Sequence, residues 1–162
     1  MKRKTMITIE RLNDAHIEQV NEIQLADEQV KFAGTATDFL SDGSETTHLH
    51  IIKYGSEVVG FFKLDVAYLA GYSFCPEGSI GLRAFALDKN QQGKGLGTGA
   101  VKALFHYLAA NYEGYDWIYL TVNCKNPAAY NCYVKGGFED TNEQYLGGAA
   151  GPQFIMRGAI SA

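Results

Sequence analysis

The sequence lacks a strong charge of either sign. Its 14 Lys and Arg stand against 18 Asp and Glu, giving a formal net charge of −4 over 162 residues. That balance offers no electrostatic footprint for a nucleic acid and no attraction to anionic lipid. Long apolar runs are missing as well, since no window approaches the roughly 18 apolar residues of a membrane-spanning helix. The basic start Met1-Lys2-Arg3-Lys4 is not followed by the apolar stretch of a secretory signal, because Thr5, Thr8, Glu10 and Arg11 interrupt it. The expectation is a cytoplasmic protein with no nucleic-acid or membrane partner. Cysteine is scarce: Cys75, Cys124 and Cys132 are odd in number, form no C-x-x-C pair and read as reduced thiols, mostly buried. His48 and His50 lie two apart on a predicted strand, with no third ligand nearby. They read as surface residues, and no metal is expected. His16 and His106 stand alone and carry no assigned role.

What is present is an ordinary globular composition, without internal repeat, low-complexity tract or charge run. Residues 1–162 read as a single domain, long enough to bury a core without disulfide or metal staples. A strand is predicted over 6–11 and a helix after Asp14 as cap, with Ile17, Val20, Ile23 and Leu25 on its apolar face. Residues 27–47 are polar and turn-rich, a short helix or an irregular lid anchored by Phe32, Phe39 and Leu40. A hairpin joins 48–54 to 57–66 through Gly55-Ser56, glycine standing first as a type II′ turn requires. In its second arm Val58, Phe62, Leu64 and Val66 alternate onto one face. After an aromatic loop at 67–78 comes a nearly continuous apolar strand, 80–87, whose pattern suggests burial on both faces. A helix follows at 96–111, then a strand at 117–122. Asn126-Pro127 sets a cap and a first-turn proline for a helix that runs to Lys135, closed by Gly136-Gly137. Two last strands begin near Phe138 and at Gln153. The sum is an α/β (α+β) mixed sheet.

Two stretches carry chemistry. In Gln91-Gln92-Gly93-Lys94-Gly95-Leu96-Gly97, three glycines in five residues separate a buried strand from a helix. Backbone N–H groups there are unobstructed by side chains, and the helix start adds unpaired donors and the positive end of its dipole. Such a turn suits a phosphate or pyrophosphate, with Lys94 at the rim, although a glycine-rich reversal with no ligand has the same composition. Neither the dinucleotide fingerprint G-x-G-x-x-G nor the P-loop is met.

Gln92-x-x-Gly95-x-Gly97 resembles the acetyl-CoA signature [QR]-x-x-G-x-[GA] of the GNAT superfamily of N-acetyltransferases. Asn126-x-x-Ala129-x-x-x-Tyr133-x-x-x-Gly137-Phe138 resembles the second hallmark of that family, in the right order and at the usual distance. The resemblance is specific over 80–138 and only topological before residue 48. It implies a GNAT-like sheet of about six to seven strands, mostly antiparallel with a central parallel pair, flanked by about four helices. It implies a transferase, an acyltransferase with acetyl-CoA as co-substrate and an amine as acceptor. By the same resemblance, the backbone of Phe85, Ala86 and Leu87 pairs with the pantetheine arm, and Leu87 N–H serves the oxyanion. The turn Gln92, Gly93, Lys94, Gly95, Leu96, Gly97 and Thr98 holds the pyrophosphate. Asn126 contacts the pantetheine, though capping alone also explains it, and Tyr133 is the catalytic general acid at the cofactor sulfur. Tyr130 reads as packing. A homodimer is common in the family, but no seam in this sequence marks one.

One family feature is missing. Residues 80–87 contain no acid, with Arg83 the only charge, so the base is open among Glu77, Asp65, Glu22 and a water chain. The acceptor is set by the segments 17–47 and 68–78. Asp27, Glu28, Asp38, Asp42 and Glu45 with Tyr68, Tyr72 and Phe74 suit a cationic small amine such as a polyamine. The same residues equally suit a solvated lid. A protein lysine or N-terminal acetyltransferase and a non-catalytic acetyl-CoA-binding module are the alternative readings.

Overall fold

Seven strands make one sheet in the order β1-β2-β3-β4-β5-β7-β6. In chain order they are β1 (Ile7–Arg11), β2 (Thr47–Tyr54), β3 (Glu57–Asp65), β4 (Ser79–Leu87), β5 (Trp117–Asn123), β6 (Glu139–Tyr145) and β7 (Gln153–Ala159). The structure is a computed structural model that describes residues 6–27, 29–30, 34–91, 95–148 and 151–160. All neighbouring strands are antiparallel except β4 and β5. A parallel neighbour needs a crossover, and the longest helix supplies it. Among the described residues the helices are α1 (Ile17–Glu22), α2 (Ala36–Ser41), α3 (Tyr68–Gly71), α4 (Leu96–Asn111) and α5 (Pro127–Gly136). The mixed sheet with its central parallel pair is as expected, with one helix more, because the aromatic loop after β3 contains α3. None of these helices is long and apolar enough to cross a membrane.

The sheet buries both faces. One packs Phe62, Leu64, Ile80 and Ile118 against Val101 and Leu104 of α4 and Tyr133 of α5. The other packs Ile51, Val58 and Phe61 against Val20 of α1 and Phe39 of α2. Val58 therefore faces away from Phe62 and Leu64, against the simple alternation expected. A bulge explains it: Ile52 pairs with Gly60 while Lys53 pairs with Val58, so Val59 is an extra residue that inverts the faces.

Several expectations shift for local reasons. Asn13, not Asp14, caps the first turn, its Oδ1 accepting from Ala15 N at 2.9 Å. His50 is fully buried rather than on the surface, with its ring nitrogens bonded to the His48 carbonyl at 3.0 Å and to Tyr107 Oη at 2.9 Å. His48 is half-buried and meets Tyr112 Oη at 2.7 Å. Tyrosines on and just beyond α4 thus convert two expected surface histidines into struts between β2 and that helix. His16, left without a role, is buried and closes a capping box with Asn13. Phe32 and Glu28 lie outside the described residues.

Candidate active site

The parallel pair is short. Only Ser79, Ile80 and Gly81 pair with β5, opposite Trp117, Ile118 and Tyr119. Beyond them β4 carries its own bulge, for Phe61 faces Ala86 while Lys63 faces Arg83, so Phe62 alone opposes both Ala84 and Phe85. Ala84 takes a left-handed φ of 53°, uncommon for a residue with a Cβ. Burial on both faces is interrupted here, at exposed Arg83 and half-buried Ala84 and Phe85. Past the bulge a cleft of about 670 Å³ opens between β4 and the Thr121–Asn123 end of β5. That volume suits a small-molecule ligand.

The N-terminus of α4 lies at the mouth of this cleft. Gly95 caps the helix with φ +76°, and a Cβ built there meets nothing within 4 Å. A Cβ on Gly97 would stand 2.9 Å from Cys132 Sγ, so α4 and α5 approach each other through this glycine. Gly99 is the first residue to bond back into the helix, its N–H donating to the Gly95 carbonyl at 3.2 Å. The N–H groups of Leu96, Gly97 and Thr98 have no partner among the described residues, as the first turn of a helix dictates. Gln92, Gly93 and Lys94 lie outside the described residues.

Strand β4 presents its edge to the same space. Asp88 N–H donates to the Val59 carbonyl at 2.8 Å. The alternation of an antiparallel ladder then turns the Leu87 peptide groups away from β3. Phe85 and Leu87 line it with their side chains. Ala86 does not: its side chain is in the core beneath α1 and α2, and its carbonyl lies against Gly60 of β3.

Helix α5 forms the far wall. Asn126 Oδ1 accepts from Ala129 N at 3.4 Å, and Pro127 follows at the first position. At the other end Phe138 N donates to the Tyr133 carbonyl and Gly137 N to that of Val134, a Schellman closure with Gly137 at φ +125°. The accompanying hydrophobic contact is Tyr133 against Phe138, 5.6 Å between ring centroids. The spacing Tyr133-x-x-x-Gly137-Phe138 is thus a helix-ending device that fixes one aromatic ring. That ring meets Phe85 of β4 edge-on at 5.8 Å. Burial pushes the Tyr133 phenol well above the usual tyrosine range, with Cys132 acting in the same direction. Tyr130 turns elsewhere, donating to Asp140 at 3.0 Å.

The other end of the cleft is walled by Ala26 and Gln29, by Tyr68 and Tyr72 around α3, and by Lys63 and Arg83. Among the described residues no carboxylate lines it. Asp27, Asp38 and Glu45 are exposed outside it, and Asp42 holds Lys63 Nζ at 2.7 Å. Glu22 and Glu77 are exposed away from the cleft, whereas Asp65 accepts from Ala67 N and pairs with Arg83 at 3.5 Å. The sequence reading passed over Lys63. Its one signal was a lysine in an otherwise apolar strand arm. Among the described residues no group of three His, Cys, Asp or Glu comes together as a metal site.

A model of the acetyltransferase (GNAT) family matches residues 10–138. A probable spermine N(1)-acetyltransferase of Bacillus subtilis subsp. natto (strain BEST195) is 28% identical over 144 residues, covering 85% of this chain and 90% of the relative. The spermine/spermidine N(1)-acetyltransferase of Bacillus subtilis (strain 168) is 27% identical over the same shares. The aminoglycoside acetyltransferase AAC(6')-Ib, solved with acetyl-CoA, has the same fold, with a TM-score of 0.77, 23% identity and coverage of 95% and 93% of the two chains. A spermidine N-acetyltransferase from Vibrio cholerae, solved with CoA and spermine, follows at a TM-score of 0.70 and 14% identity, covering 96% of each chain. With its matched region spanning both glycine-rich and tyrosine-bearing motifs, this chain belongs to the GNAT family of acetyl-CoA-dependent acetyltransferases.

Proposed function

We propose that the chain transfers the acetyl group of acetyl-CoA to a primary amine of a small molecule by direct attack, with Tyr133 beside the leaving sulfur. The observation that carries this reading is one cleft with amides of α4 that have no partner among the described residues at its mouth and Tyr133 in its wall. The pyrophosphate binds the turn 92–98, where those amides and the helix dipole meet it. Pantetheine runs along β4 past Phe85 and Leu87, with Asn126 across from it. The amine nitrogen attacks the thioester carbon, the oxyanion takes the Leu87 N–H, and the C–S bond breaks as the sulfur receives a proton.

Tyr133 is suited to hold that proton. Its raised pKa keeps the phenol protonated at every working pH. The same shift makes full transfer costlier than from a free tyrosine, so the phenol acts first as a hydrogen-bond donor and yields its proton late. No carboxylate among the described residues lines the cleft, which favours deprotonation of the amine through water. The curated relatives, named for spermine and spermidine, support a small-molecule acceptor.

The test is thiol release from acetyl-CoA across an amine panel, for the wild type and Tyr133→Phe. The variant should lose about 10-fold or more in kcat while CoA affinity holds. Equal kcat in the two proteins removes Tyr133 from the reaction.

A further inference from the structure

Lys63 and Arg83 are direct cross-strand partners on β3 and β4. Like charges placed opposite each other are unfavourable unless something offsets them. Each has one carboxylate: Asp42 for Lys63 at 2.7 Å and Asp65 for Arg83 at 3.5 Å. The cations line the cleft, but the two carboxylates do not. The two cations also differ in how firmly they are held. The Lys63 side chain is 11% exposed and tightly paired, whereas that of Arg83 is 42% exposed with one long contact. A guanidinium has five N–H donors in a planar fork, so most of those on Arg83 are uncommitted among the described residues. Tyr72 and Tyr68, which line the same cleft, stack on each other at 4.3 Å.

Resting on the reading that this cleft acetylates a small-molecule amine, we infer that the acceptor carries a carboxylate near its amine, bound by Arg83 with Lys63 behind it. The acceptor class is amino-acid-like, not a bare polyamine. A planar guanidinium matches a carboxylate with two parallel hydrogen bonds. A polycation seated here would meet no carboxylate among the described lining residues, since Asp42 and Asp65 outside the cleft are already paired with Lys63 and Arg83. The separation fits a small acceptor. Arg83 precedes Phe85 by two residues across the bulge, both line the cleft, and Phe85 touches the Tyr133 ring.

The experiment is calorimetric binding to the CoA-loaded protein, which needs no turnover. Its ligands are matched pairs with and without the carboxylate: lysine and cadaverine, phenylalanine and phenethylamine, a tripeptide and its C-terminal amide. At least one carboxylate-bearing member should bind about tenfold or more tightly than its partner, and Arg83→Gln should erase that preference. Arg83→Lys should restore part of it. CoA binding, measured in each variant, reports that the fold is intact. Equal or tighter binding of every amine that lacks the carboxylate overturns the inference, as does a preference that survives Arg83→Gln. The acetyltransferase reading fails separately, if no amine of either kind releases thiol from acetyl-CoA.

Discussion

The two ends of the cleft are made of different material. The end at α4 is built from main chain: glycines, a left-handed cap and amides that a helix start leaves open. The end at α3 is built from side chains, Lys63, Arg83, Tyr68 and Tyr72, that arrive from three elements. A site made of backbone is sensitive to side-chain bulk wherever elements approach closely, as at Gly97. A site made of side chains tolerates new carbon atoms but depends on the sign and shape of each group.

The largest break in that contrast should come from Gly97→Val. The new side chain strikes Cys132 and narrows the space before the open amides, so CoA affinity should fall at least 100-fold and thermal stability should drop with it. Retained CoA binding in a calorimetric titration would show that the turn is not where the cofactor sits. Gly95→Ala is the cleaner probe, because its Cβ meets no neighbour and only the left-handed backbone objects. A cost of about 1 kcal/mol in stability is expected, with the fold intact. A measured stability equal to the wild type would mean that Gly95 does not hold this conformation.

Acid should act on the scaffold beneath both ends. Burial, aided by the charges of Arg11 and His48, lowers the His50 pKa from 6.5 to about 4, while the His48 carbonyl opposes the shift. His50 is therefore neutral in the fold and its contribution is complete above pH 6.5. It is lost as the pH falls from 6.5 toward 4, because there the unfolded chain binds the proton first. The loss approaches about 3 kcal/mol. His50→Gln should flatten this part of the stability profile, and an unaltered slope between pH 6.5 and 4 would show that His50 does not cause it. The smallest effect is expected from Thr35→Ala. Thr35 caps α2 and accepts from Asp38 N at 3.1 Å, and losing that cap should cost about 1 kcal/mol or less. No loss of stability would mean that α2 does not depend on this cap.

Much of the fold was readable because local rules agree. Asn126-Pro127 and Gly136-Gly137 bound α5 in the structure as the caps require, and Gly55 takes a positive φ at the tip of the β2–β3 hairpin. Strand faces were less secure. One extra residue at Val59 reversed the side on which Val58 packs, and nothing in an alternating apolar run announces a bulge. His50 was misjudged for a related reason, since its partner Tyr107 lies 57 residues away.

By itself, the sequence determined the glycine-rich turn, the capped helix with Tyr133 and the strand–helix–strand unit joining them, because each depends on residues a few positions apart. Tertiary structure alone decided that β4 parts from β5 beyond Gly81, and that Lys63 and Arg83 line the cleft while their paired acids do not. Those outcomes follow from register and from charges brought together across strands, where spacing along the chain gives no guide.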